Sequence, residues 1–145
     1  MIRQARGAAL VVVLVLTAAG MALSTAVATS AALELAMADS SAARLRAFEA
    51  AEAGLAAALR ARAWSAGAPW SASGALADAG RWQVEVRLAA ARVDASAGVV
   101  EWHFEVESAG RDGAASIVLL KGFRITGALP GEPQHTWWRQ ADPAP

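Results

Sequence analysis

The sequence predicts an α+β chain in which one long N-terminal helix is followed by a small antiparallel β-meander. Three observations carry that reading. An uncharged run from Gly7 to Leu33 continues into helix-forming sequence, with no proline before Pro69. Three later segments read as strands, two from their alternation of apolar and polar residues. Glycine- and Asp-containing stretches separate those segments where hairpin loops are required.

The helix comes first in the chain. At 1.5 Å per residue about 20 apolar residues cross a hydrocarbon core of ~30 Å, and residues 8–33 exceed that length. Only Thr17, Ser24, Thr25, Thr29 and Ser30 interrupt the run with polar groups, and Gly20 is its weakest helical point. Arg3 and Arg6 precede it while Glu34 and Asp39 follow, so the positive-inside rule places the N-terminus in the cytoplasm and the remainder outside. Two processing schemes are open. A general signal peptidase could cut after Ala26-Val27-Ala28 and release a soluble domain. Alternatively the cut falls at Gly7, before Ala8, and the helix stays on the mature chain. The continued helix favours retention, because a discarded signal peptide needs no such extension.

Residues 34–62 read as the amphipathic continuation of that helix. At 100° per residue Leu45, Phe48, Leu55 and Leu59 fall on one stripe, expected to pack on the sheet. Glu52 lies within the stripe and Glu49 at its edge, so Glu52 is either partnered or reaches solvent past the domain rim. The opposite face carries small residues, among them Ala47, Ala50 and Gly54. Such a face either lets another helix approach closely or is an ordinary exposed run of good helix formers. Glu52, Glu49, Ala47, Ala50 and Gly54 are therefore the candidate interface residues.

Residues 63–81, with Gly67, Pro69 and Gly74, read as a loop that folds Trp64 and Trp70 over the core. The sheet is expected across residues 82–125. Trp82, Val84, Val86 and Leu88 alternate with Gln83, Glu85 and Arg87; Val100, Trp102, Phe104 and Val106 alternate with acidic residues and His103; Ile117 to Ile125 is a third, more apolar run. The predicted core thus combines Leu45, Phe48, Leu55 and Leu59 with Trp82, Val84, Trp102 and Phe104. Asp94 to Gly98 should be a loose loop and Gly110-Arg111-Asp112-Gly113 a tight one. Residues 126–145, containing Pro130, Pro133, Trp137, Trp138, Pro143 and Pro145, read as an irregular tail.

Composition narrows the functional classes. The chain has 145 residues, a formal net charge of zero, scattered arginines and no cysteine. No concentrated basic patch suits nucleic acid, and thiolate metal sites are impossible. His103 and His135 are the only histidines, and neither joins a metal or nucleophile motif. No catalytic residue, metal, cofactor or small-molecule substrate is expected.

Two stretches carry a family resemblance. Residues 3–12, Arg3-Gln4-Ala5-Arg6-Gly7-Ala8-Ala9-Leu10-Val11-Val12, and residues 47–55, Ala47-Phe48-Glu49-Ala50-Ala51-Glu52-Ala53-Gly54-Leu55, resemble the PilX-type minor pilins of type IV pilus systems. The resemblance covers residues 3 to 62, and more weakly Thr136-Trp137-Trp138-Arg139. It implies a pilin-like α+β fold, a leader of residues 1–7 cut after Gly7 by a prepilin peptidase, and methylation of the new Ala8 amine. The implied partners are other minor pilins, the major pilin and the inner membrane, with the C-terminal domain in the periplasm before entry into the pilus. A type II secretion pseudopilin is the alternative within the same mechanism. The chain departs from the general pilin pattern at Val12, the fifth position counted from Ala8, where most pilins carry Glu. An intramembrane carboxylate is costly and kept for a reason, so its absence fits a minor or tip-located subunit better than a repeating one.

Overall fold

The computed structural model describes residues 2–62, 64–77, 80–96 and 98–141, with side chains from residue 10 onward. Met1, Ala63, Pro143 and Pro145 lie outside the described residues. Helix α1 runs Ile2–Ala61, followed by β1 Trp70–Ala75, β2 Arg81–Asp94, β3 Val99–Asp112, β4 Ala115–Thr126 and β5 Gln134–Ala141. Two compact units divide the chain, one ending at Ser40 and the other starting at Ser41. The second contains about the last six turns of α1 and the whole sheet.

The sheet is a five-stranded antiparallel meander in the order β1-β2-β3-β4-β5. The three expected strands are its centre. Two more flank them: β1 lies inside the segment read as a loop, and β5 inside the segment read as an irregular tail. β1 does alternate, with Trp70 and Ala72 packed on the core between Ser71 and Ser73, but over only six residues; β5 has no such pattern. β1 is built of Trp, Ser, Ala and Gly, while β5 is exposed at almost every position because it closes one sheet margin. The expected loop at Asp94 to Gly98 forms, with the Gly98 N–H donating to the Asp94 carbonyl at 2.8 Å. The second hairpin turns at Gly113-Ala114 instead, with Gly113 at φ 55°, and leaves Gly110 inside β3.

Gly110 belongs in the strand because α1 crosses directly above it. A Cβ there would collide with the Ala47 carbonyl oxygen and the Ala51 backbone nitrogen. Beside it the Ser108 hydroxyl, fully buried, donates to the Ala51 carbonyl at 2.7 Å. Helix and sheet therefore meet through small residues. Ala47, Ala50, Ala51 and Ala58 are fully buried, Gly54 is buried, and Leu55 is 2% exposed. These positions recur at i, i+3, i+4, i+7, i+8 and i+11, a helical stripe.

That stripe is rotated about one residue, roughly 100°, from the one the large side chains predict. Of the expected core positions, Leu55, Val84 and Phe104 are buried, while Phe48, Trp82 and Trp102 pack against the core from its margin. Leu45 and Leu59 do not belong to it, being 59% and 37% exposed. Trp64, expected to fold over the core, is part of it, and so are Leu119, Phe123 and Ile125 of the third expected strand. Trp64 follows the helix end and seals the core, its ring tilted onto Phe104 at 5.2 Å and Phe123 at 5.4 Å.

Candidate assembly surfaces

Two surfaces follow from this chemistry, one in each unit. In the first, α1 is apolar and exposed from Leu10 onward, and it is the one helix among the described residues long and apolar enough to cross a membrane. Four of its hydroxyls are satisfied internally. Thr17, Ser24, Thr25 and Thr29 donate to backbone carbonyls three or four residues earlier at 2.8 to 3.1 Å. Those bonds remove the penalty of placing hydroxyl groups in hydrocarbon. Val12 is exposed and apolar. Gly7 and Ala8 lie on the helical backbone of α1.

In the second unit the predicted interface residues separate. Ala47, Ala50 and Gly54 are not an outward face, since all three are consumed by the sheet contact. Glu49 is exposed. Glu52 has its partner inside the same unit, the Lys121 ammonium on β4 at 3.3 Å. The pair is part exposed, so it belongs with surface ion pairs worth about 0 to 1 kcal/mol. Glu52 and Lys121 line a hollow of about 360 Å³ with Phe48, His135 and Trp138. What remains outward on this side is larger and greasier than predicted: Leu45, Leu59 and Trp138, the last 59% exposed.

Other charges serve the fold. Arg46 on α1 bonds Asp112 at the end of β3 at 2.6 Å, tying the helix to the sheet two turns before Gly54. His103 lies 3.8 Å from Glu101, which also faces Arg124 at 3.7 Å. Among the described residues no group of three or more His, Cys, Asp and Glu side chains is placed to hold a metal. His135 stacks edge-on against Phe123 at 5.8 Å.

A long N-terminal helix whose last turns pack on an antiparallel meander defines an α+β protein of the pilin-like class. Residues 6–56 match the family model described as PilX N-terminal, which supports a PilX-type minor pilin. No curated protein and no solved structure matches the chain. The pilin family is structural rather than enzymatic, and its members interact with other pilus components.

Proposed function

We propose that this chain is a minor pilin that joins other minor pilins in the inner membrane, primes type IV pilus assembly and stays at or near the pilus tip. The observation that carries the reading is the match of residues 6–56 to the PilX N-terminal family on a helix that is apolar and exposed from Leu10. A prepilin peptidase cuts after Gly7 on the cytoplasmic side, the Ala8 amine is methylated, and the helix remains as the membrane anchor. Arg3 and Arg6 before the run set the C-terminal unit on the periplasmic side. Val12 supplies no carboxylate to neutralise a neighbour's terminal amine, which suits a subunit that need not dock beneath another one. The fold then presents the exposed apolar helix to other pilins.

Processing gives the sharpest test. N-terminal sequencing of the mature protein should begin at Ala8, and replacing Gly7 by a bulky residue should leave an unprocessed membrane protein and reduce piliation. A mature start at Thr29 would instead identify a secreted domain and overturn the pilin reading.

A further inference from the structure

The sheet has an outer face, turned away from α1, whose charges are arranged in an order that the stability of a single chain does not explain. Ser108 bonds the helix, so Glu107, Ala109 and Arg111 point the opposite way. In register, Arg81 stands opposite Arg111, Gln83 opposite Ala109, and Glu85 opposite Glu107. Like charges directly opposite on neighbouring strands are destabilising. The same two strands show the complementary alternative one row further on, where Arg87 is opposite Glu105 and bonds it at 2.6 Å. The Arg87 guanidinium is held above its ordinary range chiefly by that Glu105 hydrogen bond and charge, with smaller contributions from Glu107 and Glu85. Arg81, Arg111, Glu85 and Glu107 are all exposed, and among the described residues none of them makes an ion pair.

We propose that this face docks against the same face of a second copy of the chain. A two-fold axis running across the strands above the Gln83–Ala109 row leaves β2 over β2 and β3 over β3 while reversing strand direction. Arg81 then faces Glu85 of the other copy, and Arg111 faces its Glu107, giving four attractive pairs from two repulsive rows. The Arg and Glu rows lie four residues apart, about 14 Å along the strand, and the neutral row is midway between them. Two sheets stacked face to face sit about 10 Å apart, a gap that extended Arg and Glu side chains span together. The immediate neighbours in these rows do not oppose the fit, since Ser71, Ser73 and Ala75 on β1 and Ser116, Val118 and Leu120 on β4 are uncharged; the Glu row ends in Arg139 on β5, two strands from Glu107 and one beyond Leu120. An unrelated partner would need the opposite pattern at the same spacing. A second copy already carries it, as an isologous contact requires. The inference does not depend on the pilus reading, because only the sheet's register and charges enter it.

The absence of cysteine makes the test direct. In the full chain in detergent, Gln83→Cys provides one thiol beside the proposed axis, and a short bismaleimide should join two copies. Arg81→Glu combined with Arg111→Glu should lower the dimer yield about tenfold, since four exposed attractive pairs become repulsive. Adding Glu85→Arg and Glu107→Arg should restore it, because the exchanged rows are complementary again. Far-UV circular dichroism of each variant confirms that the sheet persists. Salt provides a reading without charge mutations, and the dimer yield of the Gln83→Cys chain should fall as sodium chloride is raised. Glu49→Cys on the exposed side of α1 reports association through the helices, and its yield should not follow the charge variants. The proposal is overturned if the Gln83→Cys chain gives no dimer, if its thiol is joined only to a different protein, if the double reversal or salt leaves its yield unchanged, or if the fourfold exchange fails to restore it.

Discussion

At the scale of single residues, the decisive choices in this chain are for small size. Gly110 and Gly54 occupy the places where strand and helix come closest, and Ser108 fills the remaining space with a hydroxyl that finds a carbonyl. A Cβ on Gly54 would meet the Ser108 Oγ too closely, yet would lie 3.5 Å from the Ser108 Cβ and 3.3 Å from the Trp82 ring. Gly54→Ala alone should therefore destabilise the chain by about 1 to 3 kcal/mol despite alanine's better helix propensity. Ser108→Ala alone should cost about 0.5 to 1.5 kcal/mol for the lost hydrogen bond. Together they should cost less than the sum, because removing the hydroxyl opens room for the methyl group. Thermal unfolding of the three variants measures the coupling, and strict additivity would contradict the packing described. These roles were hard to read in the sequence because glycine and alanine announce neither burial nor contact. Glu52 shows the converse. Its position suggested a special partner, and the partner is a part-exposed Lys121 distant in sequence.

For whole elements, legibility followed side-chain type. β2, β3 and β4 were visible because apolar and polar residues alternate or bulky apolar residues run together, which is what a sheet with one covered face demands. β5 was not, since a marginal strand needs no apolar face and it is exposed at almost every position; β1 was not, since its alternation of Trp70, Ala72 and Gly74 with Ser71 and Ser73 is short and falls away to residues that also mark loops. The helix was visible in length and ends within a residue of the expected limit, yet its buried face was read about 100° away. Ranking residues by hydrophobicity favours Leu and Phe, whereas a close helix-sheet crossing selects the side chains that take least space. The difference is measurable. Leu55→Ala should destabilise by about 2 to 5 kcal/mol, the range for emptying a packed site, while Leu45→Ala should stay within about 0.5 kcal/mol. Equal shifts in thermal unfolding would restore the stripe that hydrophobicity alone suggests.

Taken as a whole molecule, the chain places the buried core residues among those described after Ser41, from Ala47 to Ile125. A fragment beginning at Ser41 should therefore be soluble without detergent and unfold cooperatively, as followed by circular dichroism on heating. A fragment with no cooperative transition would mean that the apolar segment contributes to the stability of the sheet unit. The membrane-length helix and the α+β class were legible because hydrophobic length and strand alternation are local signals; the outer-face charge rows were not, because they exist only once the register sets Arg81 against Arg111. The crossing of α1 over β3 also has a consequence in time. A chain made from its N-terminus completes Ala51 long before Ser108, 57 residues later, a wait of roughly 3 to 11 seconds at usual rates of synthesis. During that interval the helix waits with its future contact face bare. A face of leucines would be adhesive to every nascent neighbour, whereas one of alanine and glycine offers little to stick to until the strand that fits it arrives.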